Sequence, residues 1–521
     1  MGGGLLQLVS YGAQDIYISG NPQITFWKIL YKRHTNFAME SIEVTFNGQA
    51  DFNKRVTAVI NRNADLMFRT YLQVVLPQID LATTTQTTCD SFRWVSYIGH
   101  RLVKQVELEI GGQRIDRQYG DWMQIWTQLS TEQGQIPALD TILGNTHDLV
   151  LLKNNRGLAL DATCASSENT QTCVSRSGTP AKTLYVPLQF WFCRNPGLAI
   201  PLIALQYHEV RLNVDFETWE NCTYGELNGV ARRPTAQSLA AASVWVDYVY
   251  LDTEERRRFA QQSHEYLIEQ VQYTGAESIT SSSNKVQLNF NHPVKELLWV
   301  VQRDSFVDCS YPVWMAAFAG CQPFNYSDDF STEGTIMSLL SAAGSAARTD
   351  GRLPTGVLGA GNTLAFSSGT NAVGAGIGTE TGFEARNDGF DYGVNYLLAK
   401  VILSSGVRCE GKNPVEVCKL QLNGQDRFTE REGSYFSSVQ PYQHHSRTPS
   451  TGINVYSFAL RPEEHQPSGT CNFSRIDKAT LQLTVSINTV VRTNTAQVRV
   501  YALNYNVLRV MSGMGGLAYS N

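Results

Sequence analysis

The stretch Val106-Glu107-Leu108-Glu109-Ile110-Gly111-Gly112-Gln113 returns in the second half of the chain as Cys418-Lys419-Leu420-Gln421-Leu422-Asn423-Gly424-Gln425. In both, apolar and polar side chains alternate with the two-residue period of a strand half buried on a sheet. Each run then meets Gly-Gly or Asn-Gly, dipeptides that accept positive φ at both central positions of the tight turn whose twist matches the flanking strands. Two copies of one hairpin predict a duplicated β-unit.

The duplication extends beyond the hairpin. Val56–Ile60 is matched by Val286–Phe290, Leu212–Val214 by Leu481–Leu483, and Val244–Val246 by Val498–Val500, always in the same order. The separation between matched stretches drifts along the chain. A solenoid would hold a short fixed period, whereas two copies of one topology with different loop insertions drift in this way. The second copy carries its extra length between Phe290 and Cys418. Within it, Ser331–Gly382 is dominated by Gly, Ala, Ser and Thr without alternation, which predicts a long surface loop.

Composition agrees with two β-domains. A chain of 521 residues is too long for one core and suits two of roughly 200 to 250 residues each. Charged residues make up only 17%, against 22 Phe, 23 Tyr and 9 Trp, a balance that favours strands and heavily contacted surfaces. A net charge of −5 offers no general attraction to nucleic acid. The local cluster Arg256-Arg257-Arg258 follows Glu254-Glu255 and reads as a solvated linker. No apolar run approaches the ~20 residues that cross a bilayer, and Met1-Gly2-Gly3-Gly4-Leu5 lacks the pattern of a secretory signal. The expectation is a chain that starts near Met1 and folds in the cytosol, its ten cysteines free thiols. Three close pairs could each close a short loop if oxidised: Cys164 with Cys173, Cys309 with Cys321, and Cys409 with Cys418.

Strands dominate the local pattern. Ile42–Gly48 alternates into a turn, and Val210–Glu217 puts apolar side chains on one face and polar ones on the other. Val244–Leu251 is apolar on nearly both faces, so a neighbouring domain or subunit must cover its outer side. Helices are few. Asp121 is placed to cap a segment whose Trp122, Ile125, Trp126 and Leu129 share one helical face, and Thr253 to cap Glu254–Ala260, the natural connector. An N-terminal arm, with a helical turn after Asn21-Pro22 carrying Ile24, Trp27 and Leu30, is expected to dock on its own domain.

The residues offer no site of chemistry. No His-x-x-x-His pair accompanies His208-Glu209 or His264-Glu265, and the adjacent His444-His445 would point to opposite faces of a strand. Gly513-Met514-Gly515-Gly516 has no following helix, so it reads as a flexible tail rather than a phosphate cradle. Asp328-Asp329 lies beside the variable loop rather than at strand ends, against a glycosidase pair. Asn221, Asn325 and Asn472 begin acceptor sequons. Neither a metal, a cofactor nor an enzymatic activity is expected.

Long blocks of the chain resemble one family. Leu6–Asp15, Gly20–Phe26, Tyr31–Ala38, Glu107–Asp116, Pro196–Val210, Trp245–Tyr248, Gln466–Asp477 and Asn504–Tyr519 are similar to the major capsid proteins of nucleocytoplasmic large DNA viruses, above all those of algal viruses such as the chlorella viruses. The resemblance lapses in the loops Thr83–Tyr97, Ile136–Thr183 and Asp304–Asn395. It implies an all-β fold of two consecutive eight-stranded antiparallel jelly rolls with long inter-strand loops. The expected division is an arm over 1–40, a first roll over 41–252, a connector helix over 253–263, a second roll over 264–505 with an insertion near 304–395, and a tail over 506–521. It further implies a structural protein of an icosahedral virion, made and assembled in the host cytoplasm. Its homotrimers would form pseudo-hexagonal capsomers that meet neighbouring capsomers and minor capsid and penton proteins. No direct contact with nucleic acid is implied, and the inner membrane is reached only indirectly. N-linked glycans are implied as well, on Asn325 or other Asn in the 325–395 region. A glycan-binding jelly-roll protein of the virion surface is the alternative.

Overall fold

Eight strands and then eight more carry the architecture. The computed structural model describes residues 3–22, 26, 33–81, 89, 91–150, 153–154, 178–227, 230–307, 321–328, 412–490 and 495–519. The eight strands of the first roll's two main sheets, shorter loop strands aside, are β1 (Phe37–Thr45), β2 (Arg55–Ile60), β3 (Leu66–Leu76), β4 (Val103–Ile110), β5 (Gln113–Tyr119), β6 (Lys182–Pro187), β7 (Val210–Phe216) and β8 (Ala241–Leu251). They form two antiparallel sheets, ordered β1-β8-β3-β6 and β2-β7-β4-β5. The second set is β9 (His264–Ile279), β10 (Ser283–Leu288), β11 (Pro293–Arg303), β12 (Val415–Leu422), β13 (Gln425–Asp426), β14 (Ile453–Ser457), β15 (Ala479–Val485) and β16 (Ala496–Met511). Its sheets run β9-β16-β11-β14 and β10-β15-β12-β13. Adding eight to each strand of the first roll gives the second. All four stretches matched in the sequence fall in equivalent strands: β2 with β10, β4 with β12, β7 with β15, β8 with β16.

The repeated hairpin joins β4 to β5 and β12 to β13. Gly111 and Gly112 have φ of 59° and 83°, Asn423 and Gly424 of 51° and 81°, the left-handed pair that the tight turn demands. Alternation sends Leu72, Val74, Val244 and Val246 into the first roll's core, and Leu297, Trp299, Val301, Val498 and Val500 into the second's.

Several local expectations change. The helix α3 forms over Gly120–Ser130 and buries Trp122, Ile125, Trp126 and Leu129, but Tyr119 is its N-cap residue and Asp121 lies in its first turn. The connector α4 spans Thr253–Gln261, and Asp252 rather than Thr253 caps it, accepting from the Thr253 amide. Phe259 of α4 packs with Leu66, Phe68 and Val249, so the connector covers one end of the doubly apolar β8. Arg256 pairs with the buried Asp65 at 3.0 Å, which makes that part of the basic cluster a structural contact.

At the N-terminus, α1 (Gly3–Val9) and α2 (Ile16–Ser19) bury no residue. Leu8 is 79% and Tyr17 91% exposed, so among the described residues the first part of the arm is not packed on the roll. Helices this short do not hold themselves without packing. The turn expected at Ile24, Trp27 and Leu30 lies outside the described residues, as does the loop Ser331–Gly382. At the other end, the expected flexible tail is ordered. β16 continues to Met511, beyond the expected boundary at 505, and Met514–Leu517 returns as β17 paired along it.

Candidate assembly surface

Strand β5 of the first roll lies against β9 of the second. The Val271 amide donates to Asp116 Oδ1 at 3.1 Å and the Gln270 amide group to the Ile115 carbonyl. Tyr119 meets Tyr273 edge-on with ring centroids 4.9 Å apart, and Tyr273 stacks on Tyr501. Burial pushes the Asp116 carboxyl up to about 7, against the hydrogen bonds from Val271 and Gln118 that favour its anion.

Helix α3 sits on the outer face of the second roll's sheet. Trp122 lies 5.8 Å from Tyr501, and Asp121 pairs with Arg499 of β16. Arg194 reaches Glu269 of β9 at 3.0 Å, while Lys295 of β11 holds the other carboxylate oxygen at 2.7 Å. Burial opposes charge on Glu269, but Arg194, His465 and Lys295 outweigh it and bring its pKa down to about 2. Removing one partner of such buried pairs leaves an uncompensated charge, so these contacts fix how the rolls sit. Strands β11, β14 and β16 thereby have two buried faces. Leu298, Val300, Ile453, Val455, Tyr501 and Leu503 join the first roll's core, while their neighbours in sequence fill the second's.

The C-terminal β17 closes the same seam. The Tyr207 amide donates to the Gly513 carbonyl at 3.0 Å, the Leu517 amide to Gln113 at 3.2 Å, and the Gly515 amide to His208 Nδ1 at 3.1 Å. Gly111 lies directly beneath the His208 ring, where a Cβ would be 2.3 Å from Nδ1.

Among the described residues, nothing packs over the equivalent face of the first roll as the first roll packs over the second. Tyr71 and Gln73 of β3 and Trp245 of β8 alternate with fully buried residues and are half-buried, and Tyr185 of β6 is 44% exposed. Trp245 stands opposite Tyr71 and donates its indole N–H to Gln73. By repeat position Tyr71 matches Val300 and Trp245 matches Arg499, both buried in the seam.

The other candidate residues lie elsewhere. His445 is buried between Glu296 and Glu463, one ring nitrogen 2.9 Å from each, with its ring edge toward Trp126. Burial opposes its charge, but the two carboxylates prevail and raise it to about 9. His444 turns away to the Leu460 carbonyl. Among the described residues no group of three or more His, Cys, Asp or Glu is placed for a metal ion. Asp328 accepts from the Lys412 amide, and Asp329 is outside the described residues. Cys418 is a buried free thiol, which rules out its pairing with Cys409, whereas Cys321 is disulfide-bonded and so departs from the all-thiol expectation. Cys164 and Cys173 are also outside it. Asn325 is half-buried and donates to Gln322 at 2.7 Å, beside the buried Tyr326 and Ser327. Sequence reading passed over Arg499, Asp116, Arg194 and Glu269. The one local signal was a charge at Arg499 within the apolar run Val498–Leu503, at the repeat position of Trp245.

Two jelly rolls of one topology, joined in series and locked along a seam, define the double jelly-roll capsid proteins. A family model described as large eukaryotic DNA virus major capsid protein matches residues 255–516, and one described as major capsid protein N-terminus matches residues 25–252. The major capsid protein of Phaeocystis pouchetii virus is 55% identical, with 100% of both chains covered. That of Paramecium bursaria Chlorella virus 1 is 38% identical over 100% of both. Among solved structures, a quasi-atomic model of the PBCV-1 virus capsid superposes with a TM-score of 0.61 at 34% identity, covering 95% of this chain and 100% of its own. The Faustovirus major capsid protein shares the fold, with a TM-score of 0.60 at 13% identity over 96% of this chain and 94% of its own. The chain belongs to the major capsid protein family of large eukaryotic DNA viruses. It is a structural protein of the outer shell of an icosahedral virion, not an enzyme.

Proposed function

We propose that three copies of the chain close into a ring of six rolls, the capsomer that tiles the shell. The observation that carries this reading is the pair of equivalent sheet faces. The second roll's face is covered by the first roll of its own chain, with Val300 and Ile453 fully buried, while the first roll's face leaves Tyr185 44% exposed. A contact that joins unlike surfaces generates a ring if its rotation closes. Two rolls per chain and six places per ring require three chains. Light scattering on purified protein in solution tests this: a threefold mass is expected, and a monomer at every concentration refutes it.

Within the shell, each ring meets neighbouring capsomers along its rim and minor capsid and penton proteins at its margins, and assembly takes place in the host cytoplasm. The division into arm 1–40, first roll 41–252, connector 253–263 and second roll 264 onward suits this role, because the connector leaves the seam to hold the rolls in place. Glycan attachment at Asn325 belongs to the same reading. Its amide donates to Gln322, so it has to turn outward, and attachment would precede packing of this segment. An intact mass near 57.9 kDa for virion protein would exclude it.

A further inference from the structure

The connection between the fifth and sixth strands of each roll is helical. In the first roll it contains α3, which sets Trp122 and Trp126 onto the second roll. In the second roll it is a π-helical turn, Tyr435–Val439, running into α5 (Gln440–His444). This segment buries Phe436, Gln440 and Pro441 against its own roll and leaves Val439 40% and Tyr442 83% exposed. His444 Nδ1, 3.0 Å from the Leu460 carbonyl, brings the 73% exposed Leu460 beside them. His445, gripped by Glu296 and Glu463, anchors the end of the helix. Among the described residues one chain thus carries an exposed apolar helix and a partly exposed aromatic sheet face, at the two positions that already meet each other inside the seam.

We infer that Val439, Tyr442 and Leu460 of one copy seat on the Tyr71, Trp245 and Tyr185 face of the next. The occupant is a second copy because this contact continues the seam between the rolls, joining the same elements in the same order. This step rests on the ring reading above. One substitution changes its character. Where the seam pairs Asp121 with Arg499, the contact between copies has Trp245 at the arginine position. Its centre is therefore aromatic rather than ionic, and large aromatic side chains at the centre of an interface carry a large share of its binding energy.

A benzophenone amino acid placed at position 442 tests the contact on the assembled protein, using a mixture of 14N and 15N chains to tell copies apart. Crosslinks are expected from this position to peptides within 66–76, 182–187 or 241–251 of a different copy. Crosslinks within one copy, or to other surfaces of an intact trimer, overturn the assignment while leaving the ring in place. Wild-type protein that stays monomeric overturns the ring and this contact together. Tyr442→Glu changes an exposed side chain and leaves the monomer folded, and it is expected to weaken trimer association by about tenfold or more. Association unchanged by Tyr442→Glu and by Trp245→Glu would also overturn it.

Discussion

Gly111→Asn gives the first hairpin the turn sequence of the second, and it should destabilise the protein. Backbone conformation alone predicts the opposite. Asn423 occupies the equivalent turn position with φ of 51°, close to the 59° of Gly111, and asparagine tolerates this region. Replacing glycine where the conformation suits the new residue stabilises by about 0.4–1 kcal/mol, through the entropy of the unfolded chain. The tertiary surroundings reverse the sign. A Cβ on Gly111 would lie 2.3 Å from His208 Nδ1 and 2.4 Å from Cγ. The imidazole must swing away, losing its hydrogen bond from Gly515 and loosening β17 along the seam. A lost hydrogen bond costs about 0.5–1.5 kcal/mol, and forcing an extra group into a packed site about 1–3 kcal/mol. The net loss is on the order of 1–2 kcal/mol, which for a domain of this size lowers the melting temperature by roughly 2–8 °C. Thermal unfolding at one fixed protein concentration measures it, since assembly also shifts the midpoint. In the His208→Ala background the clash is gone, and adding Gly111→Asn should cost nothing. A single Gly111→Asn variant that melts at or above wild type would refute the reasoning.

Asp116→Asn should stabilise the protein at pH 8 and lose that advantage toward pH 4. The Asp116 pKa is raised from 3.8 to about 7 by burial, so its contribution is fully present below pH 3.8 and is lost as pH rises through 7. An asparagine keeps the acceptor for Val271, and once the Gln118 amide turns over, exchanging the Nε2 that now faces Asp116 Oδ2 for its unpartnered Oε1, the new amide donates to it. A difference in melting temperature independent of pH would contradict this. His445, raised from 6.5 to about 9, contributes stability that is complete below pH 6.5 and disappears as pH climbs through 9. Wild type should lose stability across that window in a denaturant titration, and His445→Gln should not show the loss. Arg499→Met strands the Asp121 carboxylate in the seam and should cost about 3 kcal/mol. Adding Asp121→Asn should recover most of it, and purely additive losses in a double-mutant cycle would show that the pair is not coupled.

The duplication was legible because a strand half buried on a sheet writes its period directly into the residues. Gly111-Gly112 and Asn423-Gly424 did the same for the turns. Helix α3 was legible from the spacing of Trp122, Ile125, Trp126 and Leu129, but the caps were not, because backbone angles at the boundary choose the cap as much as residue type does. Tyr119 and Asp252 took the positions assigned to Asp121 and Thr253. The C-terminal glycines were misread for a related reason: what orders them is His208 and Gln113 of the first roll, far away along the chain.

By itself, then, the sequence determined a duplicated β-unit and, through its resemblance to viral capsid proteins, two jelly rolls in series. It also showed that β8 is apolar on both faces. Only the tertiary structure decided that the matching face in the second roll is filled from within the chain while that of the first, among the described residues, leaves Tyr185 44% exposed. Alternation records that a strand has two faces, but not what lies opposite them. That depends on how two rigid rolls are set against each other, through contacts such as Asp121 with Arg499, which join residues 378 positions apart.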